Sequence, residues 1–220
     1  MLDSPSPKPA QIPLFNHGAD DINLRQSAVR RHILEVAKQR FARQGYDGVT
    51  FATIARAADV PFAQVLMHFD GKPSLLAAVF DEGWATINLR FADIVLTSVT
   101  ARDAVLSMLV VMTHILDRDE DLARLLLLES RRTHPANGQT VSSKGYQDFV
   151  KLCVDLVMRG QKDGSFRNNC HPRVAASLLI GAAESLLRDR LIADQEGGAQ
   201  PYSKEQIATV FEALVSYLKP

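Results

Sequence analysis

The chain is expected to fold as an all-α protein, a small N-terminal group of short helices joined to a larger C-terminal helical bundle, about nine helices in all. Three observations predict this. Apolar residues recur at spacings of three and four almost throughout, and no stretch alternates strictly enough for a strand. Glycine, proline and hydroxyl residues punctuate that pattern where helices start and stop. Basic charge gathers near one end: between Arg25 and Lys72 there are eight Lys and Arg residues against four Asp and Glu, in a chain whose formal net charge is zero.

Residues 1–22 carry Pro5, Pro7, Pro9 and Pro13 with Ser4 and Ser6, and are expected to form a flexible arm, because so little apolar surface cannot offset the entropy of ordering. A first helix is expected over 24–44, with Val29, Ile33, Val36, Ala37 and Phe41 on one face and Gly45 ending it. Thr50 then occupies an N-cap position, opening a short helix with Phe51, Ile54, Ala55 and Ala58 inward. Asp59 suits a left-handed turn, and Pro61 the first position of another short helix, where its missing N–H is harmless. Lys72-Pro73-Ser74 opens a long helix marked by Leu76, Val79, Phe80, Trp84, Ile87 and Phe91. Helices are expected over 102–117, 119–131 and 143–163, with a loop at 133–142, and a last pair over 172–194 and 203–218. The domains read as an arm (1–22), a helical module (23–71) and a bundle (72–220).

With 220 residues, 46% of them hydrophobic, the chain can bury a substantial core. It has no uncharged apolar run of about 18 residues and no signal-like N-terminus, so no membrane association and a cytoplasmic location are expected. Cys153 and Cys170 lack metal-ligand spacing and read as reduced thiols, with no metal and no cofactor. HExxH, GxSxG and GxGxxG motifs are all absent, so no catalytic residue is assigned and an enzyme is not expected.

Two short helices joined by a tight turn, braced by a longer helix and positively charged, have the layout of a helix-turn-helix, whose second helix enters the major groove of DNA. Arg30-x-x-Ile33-Leu34-x-x-Ala37-x-x-x-Phe41-x-x-x-Gly45-Tyr46, then Thr50, Ile54-Ala55, Ala58-x-Val60 and His68-Phe69-x-x-Lys72, resemble the DNA-binding motif of the tetracycline-repressor (TetR) family. Gly160-x-x-x-Gly164-x-Phe166-Arg167 and Pro172-x-x-Ala175-Ala176-x-Leu178-Leu179-x-Gly181 resemble a later stretch of the same family. The resemblance implies a transcriptional regulator whose homodimer binds a near-palindromic, double-stranded operator and releases it when a small, largely apolar effector binds. It implies that Thr50 caps the second helix against a phosphate. Pro61, Phe62, Ala63 and Gln64 would begin the recognition helix, Leu66, Met67 and His68 follow along its groove-facing side, and Lys72 meets the backbone.

The recognition helix departs from the family pattern at Asp59, Pro61, Phe62 and Leu66, where glycine, a hydroxyl, a polar residue and a tyrosine are usual. Phe62, Val65, Leu66 and Met67 make it unusually apolar, and Gln64 alone carries an amide able to read adenine. The alternative is a regulator-derived module in which this apolar helix meets a protein partner and DNA binding is weakened.

In the bundle, Trp84, Ile87, Phe91, Met108, Met112, Phe149, Cys153 and Val157 either line an apolar ligand cavity or form plain core. His114, Glu129 and Glu184 stand inside apolar runs and either orient a ligand or are satisfied otherwise. The last two helices carry Leu178, Gly181, Ala182, Ser185, Val210, Phe211 and Leu214, which the resemblance assigns to a four-helix dimer interface.

Overall fold

The computed structural model describes residues 17–129, 142–195 and 202–218, and within them nine helices and no strand. In chain order these are α1 (His17–Gln44), α2 (Phe51–Ala57), α3 (Phe62–His68), α4 (Lys72–Thr97), α5 (Ala101–Arg118), α6 (Glu120–Glu129), α7 (Lys144–Asp163), α8 (Pro172–Gln195) and α9 (Lys204–Tyr217). Among them, no helix is long and apolar enough to cross a membrane.

Helix α1 begins at His17, so it runs into the segment expected as an arm and across the expected boundary at residue 22. Pro13 is the last proline before Pro61, so no proline bars a helix from starting ahead of residue 22. Residues 1–16, and the expected loop apart from Ser142, lie outside the described residues. Gly45 closes α1 at φ +72°, and Gly164 closes α7 at φ +79°, the left-handed conformation that glycine adopts without steric cost.

Thr50 caps α2 reciprocally: its Oγ1 accepts from Thr53 N at 3.2 Å while its own N–H donates to Thr53 Oγ1 at 3.0 Å. Asp59 makes the turn at φ +51°, the one positive φ of a non-glycine residue among those described. Pro61 stands one residue earlier than expected, as the N-cap of α3, with its carbonyl accepting from Gln64 N at 2.9 Å. Ile54, Ala55 and Val65 are buried against Ile33, Ala37 and Phe41 of α1. A single apolar cluster continues from there into the bundle through Leu75, Val79 and Phe80 of α4.

Helix α4 packs along α7, α7 along α8, and α1 lies on both α4 and α6. Arg159 of α7 holds the end of α4, donating to the carbonyls of Val95 at 2.5 Å and Ser98 at 2.7 Å, which lack partners within the helix. Gly160 is required where α7 passes Phe166, because a Cβ there would overlap the ring.

Candidate nucleic-acid interface and effector cavity

Helix α3 is pinned by one fully buried residue, Val65, and turns the rest outward. Phe62 and Leu66 are each 49% exposed and Met67 72%, with Pro61 and Ala63 also exposed and Gln64 and His68 half-buried. Five of the seven side chains assigned to the start and groove-facing side of the recognition helix are therefore exposed, while the His68 ring leans toward Phe69 at 6.2 Å. The exposed Arg31 and Arg30 of α1 flank this module, Arg30 stacking over Phe69 at 5.4 Å.

Lys72 is engaged inside the module. Its ammonium donates to the carbonyls of Tyr46 at 2.8 Å and Val49 at 3.1 Å and lies 4.1 Å from the centre of the Tyr46 ring. Those carbonyls belong to the α1–α2 connection, so the charge ties the start of α4 to the helix-turn-helix. A second tie runs from α1 to the start of α6. Lys38 Nζ meets Asp119 at 2.6 Å, and Arg43 grips Asp121 with two bonds at 3.2 and 3.0 Å.

The other end of α4 enters the bundle. Trp84, Phe91, Tyr146 and Phe149 form an aromatic cluster, with Trp84 stacked on Phe149 at 4.8 Å. Beside it Phe91, Met108, Met112, Phe149, Cys153 and Phe211 line an almost wholly apolar cavity of about 60 Å³. A second cavity of about 40 Å³ shares Met112, Phe149, Ile180 and Ala183 with the first and adds Trp84 and Glu184. Burial pushes the Cys153 thiol up to about 12, and it raises the Tyr146 hydroxyl, beside Glu184 and Glu129, also to about 12.

Glu129 at the end of α6 is fully buried. One carboxylate oxygen accepts from Trp84 Nε1 and the other from Ser143 N, both at 2.6 Å. Ser143 is the N-cap of α7, so the carboxylate also sits at the positive end of that helix.

Residues 33–79 match the model of the bacterial regulatory proteins of the tetR family. The helix-turn-helix of this chain is therefore of the TetR type. It is 26% identical over 197 residues to the HTH-type transcriptional repressor DhaR of Mycobacterium sp. (strain GP1), covering 86% of this chain and 94% of that protein. It is 23% identical over 188 residues to the fatty acid metabolism regulator protein of Bacillus subtilis (strain 168), covering 84% and 92%. In structure it resembles the transcriptional regulator FadR of Bacillus subtilis in complex with stearoyl-CoA, with a TM-score of 0.72 at 18% identity over 86% of this chain and 97% of that one. The ketosteroid regulator KstR2 of Mycobacterium tuberculosis gives 0.63 at 18% identity over 87% and 95%.

Within the bundle the expected cavity residues divide. Phe91, Met108, Met112, Phe149 and Cys153 line the larger cavity and Trp84 the smaller, whereas Ile87 and Val157 are buried in close-packed core and line neither. The expected interface residues divide as well. Leu178 and Val210 are 57% and 60% exposed, Gly181 and Ser185 are exposed beside them on α8, and Ala182 and Leu214 are half-buried. Phe211 is a correction: at 3% exposure it faces the protomer's own cavity, because the apolar stripe of α9 is wide enough to have an inner edge. His114 is exposed and Glu129 is satisfied within the protein, while Glu184 does reach the smaller cavity. Sequence reasoning missed the two ties to the helix-turn-helix, since Lys72 and its acceptor carbonyls are 26 and 23 residues apart and backbone acceptors leave no mark in a sequence.

Proposed function

We propose that this protein is a transcriptional repressor of the TetR family whose dimer holds operator DNA through α3 and releases it when an apolar effector enters the bundle. One observation carries the reading: α4 is clamped to the helix-turn-helix at Lys72, and its Trp84 and Phe91 form walls of the cavities. Anything that displaces the cavity wall therefore strains the seat of the recognition helix. One structural neighbour, FadR of Bacillus subtilis, is in complex with stearoyl-CoA, whose acyl chain is long and apolar. Cavities of about 60 and 40 Å³ are far below the ~300 Å³ of ordinary ligand sites, so such a ligand must part α4, α5, α7 and α8. That supplies the difference in affinity between two conformations that release requires.

Leu178, Gly181 and Ser185 of α8, with Val174 before them, recur at spacings of four, three and four on an exposed face. Val210, Ala213 and Tyr217 do the same on α9, and we assign the two faces to the four-helix dimer contact that positions two recognition helices on a near-palindromic site. Thr50, Gln64 and the exposed face of α3 contact the DNA, with Phe62 and Met67 against thymine methyl groups. Fluorescence anisotropy on DNA from upstream of the protein's own gene tests this. Salt-dependent, sequence-preferring binding is expected, weakened at least about tenfold in the Phe62→Ala, Met67→Ala double variant. Unaltered affinity would move the apolar helix from DNA to a protein partner, the alternative that its exposed Phe62, Leu66 and Met67 favour.

A further inference from the structure

A third hollow lies outside the bundle, a groove of about 440 Å³ between α1 and α4. Ser27, Arg30 and Arg31 of α1 form one wall and Ala78, Asp81 and Glu82 of α4 the other, each set spaced i, i+3 and i+4 on one helix face. The helices run antiparallel here, since Lys72 at the start of α4 meets Tyr46 just past the end of α1 while residues 81 and 82 lie opposite residues 27–31. The lining is more polar than apolar, so charged groups border the hollow, with two arginines on one wall and two carboxylates on the other. No ion pair crosses it: the pairs that α1 makes among the described residues are Lys38 with Glu35 and Asp119, and Arg43 with Asp121.

At the same level the other sides of α4 are closed. Toward α6, a Cβ on Gly83 would come within 2.6 Å of Leu122 Cδ1, and toward α7, a Cβ on Gly145 would overlap Trp84. Gly145 is also bonded to α4 on both sides of Trp84: its N–H donates to Asp81 Oδ1 at 3.1 Å, and its carbonyl accepts from Asn88 Nδ2 at 3.0 Å. Trp84 and Phe91 wall the cavities, so an effector that widens them pushes α4 away from α7. At 3.6 residues per turn, the groove face centred on Ala78 lies about 120° round the helix from Trp84 and about 140° from Gly83. The displaced helix therefore moves toward the groove.

We propose that this groove is the lock of the DNA-free state. When an effector parts α4 from α7, α4 closes on α1, Asp81 exchanges the Gly145 N–H for the guanidinium of Arg30 or Arg31, and Glu82 pairs with the other. This rests on the effector-driven release proposed above and adds the direction in which α4 moves and the groups that hold it there. Exposed ion pairs are individually weak, so the groove stays open while α4 is held against α7. Once that contact breaks, two guanidinium–carboxylate pairs replace the single N–H bond given up.

Closure weakens DNA binding in two ways. Arg30 stacks over Phe69, the C-cap of α3, at 5.4 Å, and drawing it to α4 takes that support from the end of the recognition helix. Lys38, Arg43 and Lys72 are already engaged within the protein, so neutralising Arg30 and Arg31 removes two of the module's remaining cations from the reach of phosphates. By linkage, bound operator opposes closure by the same factor that closure weakens the operator.

The test uses the full-length protein carrying Ser27→Cys and Glu82→Cys, one on each wall, which keeps Arg30, Arg31 and Asp81. Oxidation traps the closed form as a disulfide between positions 27 and 82, measured by mass spectrometry of the digest, and anisotropy reads operator affinity before and after reduction. The oxidised form is expected to bind operator at least about tenfold more weakly, with dithiothreitol restoring it. Saturating operator is expected to slow bridging of the reduced form by a similar factor, and unrelated DNA of equal length to leave it unchanged. Adding Arg30→Gln and Arg31→Gln is expected to slow bridging of the free protein at least about threefold, measured against the rate at which the same thiols are alkylated. Bridged protein that binds operator as tightly as reduced protein overturns the proposal, as does bridging indifferent to operator or to loss of the two arginines. If no bridge forms, Arg31→Cys with Glu82→Cys, which stand closer in register, decides, and the absence of both bridges refutes closure. Wild-type protein that binds no operator fails the repressor reading and takes the lock with it; every other outcome leaves that reading standing.

Discussion

Glu129 shows how much one side chain can hold in place. Its two carboxylate oxygens are taken by Trp84 of α4 and by the backbone at the start of α7, so a single buried anion joins three helices around the aromatic cluster. Removing it strands two buried donors in an apolar setting. Glu129→Ala is therefore expected to cost about 3 kcal/mol in urea unfolding and to shift the Trp84 emission, with Glu129→Gln intermediate because its amide oxygen can serve only one of the donors well. Glu129 was visible in the sequence as a carboxylate in an apolar run, yet nothing there could decide between orienting a ligand and bracing the fold. Its partners lie 45 and 14 residues away, brought together by packing.

At the scale of elements, helix ends do much of the joining. Asp163, in the last turn of α7, accepts from the Ala101 N–H at the start of α5 at 3.1 Å and from Ser165 N at 2.9 Å. Burial works to raise its pKa, but the bonds from Ser165 and Ala101 and the nearby Arg159 outweigh it and hold the carboxyl below the usual range. A depressed carboxylate stabilises the fold above its unfolded pKa, and that contribution disappears as pH falls through the folded value. Asp163→Asn should thus be less stable than the wild type at pH 7, and the gap in urea midpoint should close as pH is lowered below about 4. The element boundaries themselves were largely legible, since Thr50, Ser143, Ser203, Gly45 and Gly164 each cap a helix as their chemistry indicates. The start of α1 was not, because a proline-rich arm and a helix's first turns share polar composition.

For the whole molecule, the proposed dimer would make the exposed faces of α8 and α9 set the distance between two copies of the outward face of α3. Replacing Leu178 and Val210 by glutamate would put four like charges into the proposed four-helix contact. Sedimentation should then show a monomer, with operator binding lost although the ellipticity of the helices is retained. A dimeric double variant would place the contact elsewhere. Within the protomer, Lys72 on one side and Lys38 with Arg43 on the other tie the helix-turn-helix to the bundle. Motion of α4 or α6 would thereby reach the helix-turn-helix through α1 and the α1–α2 connection.

By itself the sequence determined the all-helical class, the order and caps of the helices, and the helix-turn-helix. These follow from local periodicity, cap chemistry and short-range motifs, all of which are written within a few turns of chain. Only the tertiary structure decided which way each stripe faces. It turned Phe211 inward and Val210 outward though they are neighbours, sent Ile87 and Val157 into close-packed core, engaged the Lys72 ammonium with two carbonyls, and set Arg31 across a groove from Glu82. Each of these depends on what a second element, distant in sequence, presents to the first. A helical period states that a face is apolar, and the packing of neighbouring helices determines what that face meets.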